Sequence, residues 1–155
     1  MTFQKMQWLF PVAVCLHSAE EARQMPIWES AHRSQLSFHP GATKIWLGLA
    51  VLTLAAFVIT YLSVRSGKQS VWAYLLVGYA AAMLANVFVP HIPASLVFGG
   101  YTPGVVTAVL INLPVMSALL LSAVREQWVS GARAVLYALV VPLSIGAAIV
   151  ALLWV

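Results

Sequence analysis

The sequence predicts an all-α integral membrane bundle of about five transmembrane helices. Three observations carry this. The 155 residues are 62% hydrophobic and only 8% charged, whereas a soluble domain has about 25% charged residues. Mean hydropathy is +0.92. Apolar runs of about 20 residues, the length a spanning helix needs, recur between charges, glycines and prolines. So little charge cannot cover a water-facing surface, and lipid is the expected solvent.

The first helix is expected near residues 6–24. It is apolar from Met6 to Leu16 and then carries His17, Glu20 and Glu21. Lys5 before an apolar run imitates a secretory leader. The acids follow directly, however, with no small-residue cleavage pattern, so the segment is expected to stay in the mature protein. Four better spans follow near 44–64, 71–89, 103–124 and 133–154. No linker, repeat or low-complexity tract divides the chain, so the expectation is a single membrane domain over 1–155.

Two loops stand out. Met25–Thr43 contains Pro26, Trp28, Glu29, His32, Phe38, His39 and Pro40, and its amphipathic character suits the membrane interface. Pro90–Gly104 holds three prolines and three glycines, which preclude a regular helix throughout. It suits a re-entrant segment, provided protein or a wet cavity satisfies its backbone. Trp46, Trp72, Tyr74, Trp128 and Trp154 sit near helix ends as interfacial aromatics do. Tyr79 with Ala80–Ala82, and Gly146–Ala148, read as helix-packing surfaces. Cys15, alone in its chain, excludes an intrachain disulfide and reads as a small buried hydrophobe.

The net charge is +4, with basic residues scattered singly between apolar runs. They read as anchors and topology signals rather than as a nucleic-acid surface. With the N-terminus on side A, that side holds Lys5, Arg65, Lys68, Arg125 and Arg133, against Arg23, Arg33 and Lys44 on side B. The excess favours a cytoplasmic N-terminus, with side B periplasmic or luminal.

The chemistry concentrates on side B. In His17-Ser18-Ala19-Glu20-Glu21, helical spacing lets His17 meet either Glu20 or Glu21, while the two carboxylates diverge by about 100°. An acid at mid-helix costs about 2.5–3.5 kcal/mol on insertion scales, so this cluster needs a cation, a proton network or a wet cavity. Alternation of the helices brings Asn86, His91 and the loop with Tyr101 to the same face. His17, Glu20 or Glu21, and His91 then make a three-ligand site with an open position. Imidazole and carboxylate together suit zinc or iron, and manganese is also allowed. Two His and two Glu can alternatively hold two metals, although di-iron bundles use the reverse order, Glu-x-x-His. Asn86 either bonds between helices or orients a ligand. His32, His39 and Glu29 read as solvated loop residues, and Asn112 and Thr107 as hydrogen-bonding groups within the fourth span. No Walker loop, dinucleotide-binding glycine pattern or serine nucleophile elbow is present.

Taken together, His17-Ser18-Ala19-Glu20-Glu21, Asn86, His91 and Tyr101-Thr102-Pro103-Gly104 resemble the HXXEE family of bacterial integral membrane proteins. The resemblance extends to the hydrophobic profile. It implies a multi-helix membrane protein in which His17, Glu20, Glu21, Asn86, His91 and Tyr101 belong together, and it brings no activity with it.

The leading functional expectation is a membrane-embedded metal-dependent enzyme acting on an apolar or lipid-like molecule. His17, Glu20 and His91 would hold the metal, Glu21 would act as general base or second metal bridge, and Tyr101 as proton donor. Metal-free acid–base chemistry by the same residues is an alternative. Cation or proton transport is the runner-up, with a homo-oligomer supplying further helices. A scaffold without chemistry is the third reading.

Overall fold

The computed structural model describes residues 2–36 and 39–154, with residues 153 and 154 described by backbone alone. The predicted loop residue Phe38 and the Trp154 side chain therefore lie outside the described residues. All regular structure among the described residues is helical. A short α1 (Phe3–Met6) leads into α2 (Leu9–Ala31), and α3 (Ala42–Ser66) follows. Then comes α4 (Val71–Asn86), which kinks through Val87–His91 into α5 (Ile92–Val97). A loop leads to α6 (Val105–Thr107), a π-helical stretch at Ala108–Asn112, and α7 (Leu113–Arg125). The last element is α8 (Gly131–Trp154).

Four helical stretches are long and apolar enough to cross a membrane: Ala42–Ser66, Val71–Val97, Val105–Arg125 and Gly131–Leu152. They correspond to the last four predicted spans. The first predicted helix exists but is longer than expected. It runs past Gln24, and Pro26 lies inside it, so residues 25–31 of the predicted loop are helix. Its acids and Arg23 keep it apart from the four apolar spans.

The helix boundaries follow local chemistry. Ser70 accepts the Ala73 amide proton at 3.2 Å and caps α4. At the other end of α4, Pro90 lacks an N–H and cannot continue the ladder. Val89 leaves the helical region there, at φ −149° and ψ 112°. Pro93 is tolerated because it occupies the first turn of α5.

α4 is the central element. Its Leu76, Tyr79, Ala80 and Met83 pack with Phe10 and Val14 of α2, Ala56 of α3, and Met116 and Leu119 of α7. α8 lies outermost, with no buried residue in its span. It approaches α4 closely at Gly78, where an added Cβ would stand 2.6 Å from the Tyr137 carbonyl oxygen. Gly78, and not the predicted Gly146–Ala148, provides the small surface for α8. Gly146 has nothing within 4 Å of an added Cβ, and it lies exposed with Ala147 and Ala148. Two further expectations change. Tyr74 and Trp128 are buried rather than interfacial: the Tyr74 hydroxyl donates to Gln69 Oε1 at 2.6 Å, and Trp128 packs on Phe3. Cys15 is exposed.

Candidate functional site

One face of α2 places His17 and Glu21 a single turn apart, and the kink after α4 turns His91 towards them. The His17 and His91 rings meet edge to face, with centroids 4.8 Å apart and planes at 89°. Glu21 faces both: its Oε2 lies 3.7 Å from His17 Nε2 and its Oε1 3.6 Å from His91 Nε2. Both imidazoles are buried. Between them lies Asn86, whose Nδ2 is 2.9 Å from His91 Nε2 and 3.3 Å from His17 Nε2. An amide nitrogen carries two protons, so it can donate to both imidazole lone pairs.

His17, Glu21 and His91 each offer a ligand atom, and these atoms lie within 4.8 Å of one another. A tetrahedral ion with bonds of about 2.0–2.1 Å separates its ligands by about 3.4 Å. Glu21 approaches the two imidazoles at 3.7 Å and 3.6 Å through different oxygens, so the trio would draw in slightly around one ion. The residues therefore have the chemistry and approximate spacing to hold a divalent cation.

Glu20 is placed elsewhere. Its Oε2 accepts the Thr107 amide proton at 2.8 Å and the Thr107 hydroxyl at 2.6 Å, and its Oε1 accepts the Tyr101 hydroxyl at 2.8 Å. With both oxygens occupied, it fastens the start of the third apolar span to α2 and is not among the three side chains whose ligand atoms converge. The Tyr101 phenol is accordingly aimed at Glu20 and not at Glu21. Desolvation, then the hydrogen bond to the Glu20 carboxylate, push its pKa up to about 12.

The segment from Phe98 to Gly104 closes the site. Thr102, Pro103 and Gly104 are buried, and Gly104 takes the left-handed φ of +85°. An added Cβ there would lie 2.5 Å from His91 Cε1 and 2.9 Å from His17 Cε1. This end of the predicted re-entrant loop thus packs into the protein against the imidazoles, whereas Ile92–Val97 is helical. The start of the segment is held by α2: Phe98 meets Trp28 edge-on with ring centroids 4.8 Å apart, and Trp28 stacks on His32 at 4.5 Å. His39 lies 3.6 Å from Glu29. Neither His32 nor His39 belongs to the His17–His91 centre.

Sequence reasoning missed two residues at the centre. The sequence marks Thr107 only as a hydrogen-bonding group within the fourth span, yet its hydroxyl lies 2.9 Å from His17 Nδ1. Its available signal was a polar residue opening the span that follows Gly104, on the membrane face already assigned to the site. Gly104 was part of a quoted motif, and its role became visible only when the imidazoles were placed beside it.

The family described as proteins of unknown function with an HXXEE motif matches residues 8–119. The chain belongs to the HXXEE family. An uncharacterized protein of Bacillus subtilis (strain 168), YrkK, is 28% identical over 108 residues, covering 70% of this chain and 68% of that protein. No solved structure matches. Within this HXXEE chain, the motif's histidine and second glutamate are the pair that meets His91, and its first glutamate is the one bound by Tyr101 and Thr107.

Proposed function

We propose that this HXXEE protein is a membrane-embedded metal-dependent enzyme acting on an apolar or lipid-like substrate. The observation that carries the reading is the convergence of His17, Glu21 and His91 at one end of an apolar helical bundle. Two imidazoles and one carboxylate leave a coordination position free, as catalytic zinc sites do. Zinc or iron suits this donor set, and manganese is the next candidate. Such an ion supplies Lewis acidity to a substrate oxygen. Glu21 is the carboxylate that faces the centre, Asn86 orients the imidazoles, and Tyr101 is the proton donor nearest the exposed rim.

The surroundings favour a substrate drawn from the bilayer. Phe88 and Val89 beside the kink, and Val106 and Leu110 beside Thr107, are large apolar residues left exposed. In this reading the protein sits in a bacterial inner membrane with its N-terminus cytoplasmic and the centre near the opposite face.

The test is elemental analysis of the full chain purified in detergent, followed by turnover of lipid-like esters in mixed micelles. Near-stoichiometric zinc, iron or manganese is expected, with loss of the metal in His17→Ala and Glu21→Ala and loss of turnover alongside it. Freshly prepared wild-type protein free of metal removes the reading and leaves metal-free acid–base chemistry.

Cation passage is a second reading, favoured by one observation. Asn112, at the end of the π-helical stretch, is fully buried with neither amide atom partnered, and intramembrane polar groups of this kind mark ion pathways. Flux into proteoliposomes that is abolished by Asn112→Leu would support it, and no flux across the common cations removes it.

A further inference from the structure

The predicted metal ligands do not explain why His17 would present a free lone pair to the centre. A neutral imidazole carries its proton on either nitrogen, and the partner of one nitrogen decides the state of the other. For His17 that partner is Thr107 Oγ1, 2.9 Å from Nδ1.

Thr107 has one hydroxyl proton and, besides His17 Nδ1 at 2.9 Å, two candidate acceptors. Glu20 Oε2 lies at 2.6 Å and the Gly104 carbonyl at 3.2 Å. The shorter contact is to a carboxylate, and charge-assisted hydrogen bonds are roughly twice as strong as neutral ones. The hydroxyl proton therefore goes to Glu20. Thr107 Oγ1 is left as an acceptor towards His17, so Nδ1 must be the donor. Nε2 then carries the lone pair, and Nε2 is the atom that faces Asn86 and Glu21. Asn86 agrees from the opposite side, since its amide N–H groups need acceptors on the ring nitrogens they meet.

Glu20 is itself held for this task. The Thr107 amide at 2.8 Å and the Tyr101 hydroxyl at 2.8 Å occupy both of its oxygens. Thr107 owes its position to the backbone: it is the last residue of α6, next to the wide turn Ala108–Asn112, and π-helical turns inside α-helices often accompany functional sites.

We infer that Thr107 is a positioning residue that, anchored by Glu20, fixes His17 as the Nδ1–H tautomer and so keeps its Nε2 lone pair directed at the centre. The inference rests on the proposed metal reading for its purpose, though not for its measurement. It also assigns different tasks to the two glutamates of the motif: Glu21 offers its carboxylate to the centre, and Glu20 bonds to Thr107, which contacts His17.

The test uses the full chain in detergent micelles with ¹⁵N-labelled histidine, free of metal and at a pH where the imidazoles are neutral. His17 signals are assigned by their loss in His17→Gln. The wild-type chain is expected to show His17 protonated at Nδ1. Thr107→Val, which keeps the shape but cannot accept, is expected to move His17 towards the Nε2–H form. It should also weaken zinc binding by about 10–100-fold, the usual effect of removing a partner behind a metal-bound histidine. Thr107→Ser is expected to restore both. An Nε2–H His17 in the wild type overturns the inference. So does a Thr107→Val chain that loses zinc affinity with its tautomer unchanged, because that loss would be structural. If no form binds zinc or another divalent metal, the proposed function falls, and the wild-type tautomer alone decides the role of Thr107.

Discussion

Glu20 and Glu21 are adjacent in sequence, yet they bond to different parts of the molecule. Glu21 stands 3.7 Å and 3.6 Å from the Nε2 atoms of His17 and His91. Glu20 points along α2 to the Thr107 backbone and hydroxyl and to Tyr101. Successive helical residues diverge by about 100°, so a paired acid on one helix serves two neighbours at once.

The two amide variants should therefore separate. Glu21→Gln is expected to keep the fold and lose the metal. Glu20→Gln retains one acceptor oxygen for three donors, and it should lower stability by about 1–3 kcal/mol. Thermal unfolding in detergent, measured beside metal content, checks both. Equal loss of metal with no change in unfolding for either variant would contradict the division.

Gly104→Ala combines a left-handed backbone with a side chain that has no room. The φ of +85° costs an alanine about 1–2 kcal/mol, and the Cβ would press on both imidazoles. Gly99→Ala is the control. It shares a positive φ of 67°, but its Cβ meets nothing within 4 Å. Both variants should unfold at lower temperature, while only Gly104→Ala should lose metal. Metal retained in Gly104→Ala would show that the imidazole pair tolerates displacement.

Gly78→Ala tests the contact between α4 and α8 without touching the centre. Its Cβ would fall 2.6 Å from the Tyr137 carbonyl oxygen and 2.7 Å from Val141 Cγ2. Backbone cannot swing aside as a side chain can, so α8 must shift, at about 1–3 kcal/mol. Reduced thermal stability with unchanged metal affinity is expected. Unchanged stability would mean that α8 is held elsewhere.

The four apolar spans were legible because twenty apolar residues between breakers have few alternatives in lipid. The extension of α2 was not. Pro26, Trp28 and Glu29 read as a loop, but Phe98 against Trp28 and His32 gives that turn of helix a tertiary partner. The approach of His91 to His17 followed from counting helices. Which glutamate would join them did not, because positions three and four residues after His17 are both within its reach. The choice depends on where Thr107 and Tyr101 stand. Thr107 was equally ambiguous, since a lone threonine in an apolar helix often bonds only its own backbone. Here the 2.6 Å contact to Glu20 shows the other outcome.

The charges of α2 also bear on biogenesis. Among the described long helices, α2 is the one least able to partition into the bilayer unaided, since each acid at mid-helix opposes insertion by about 2.5–3.5 kcal/mol. The donors that satisfy Glu20 emerge much later, on Tyr101 and Thr107. α2 is therefore synthesised before the groups that satisfy its carboxylate, and Glu20 gains its partners only once Tyr101 and Thr107 have followed.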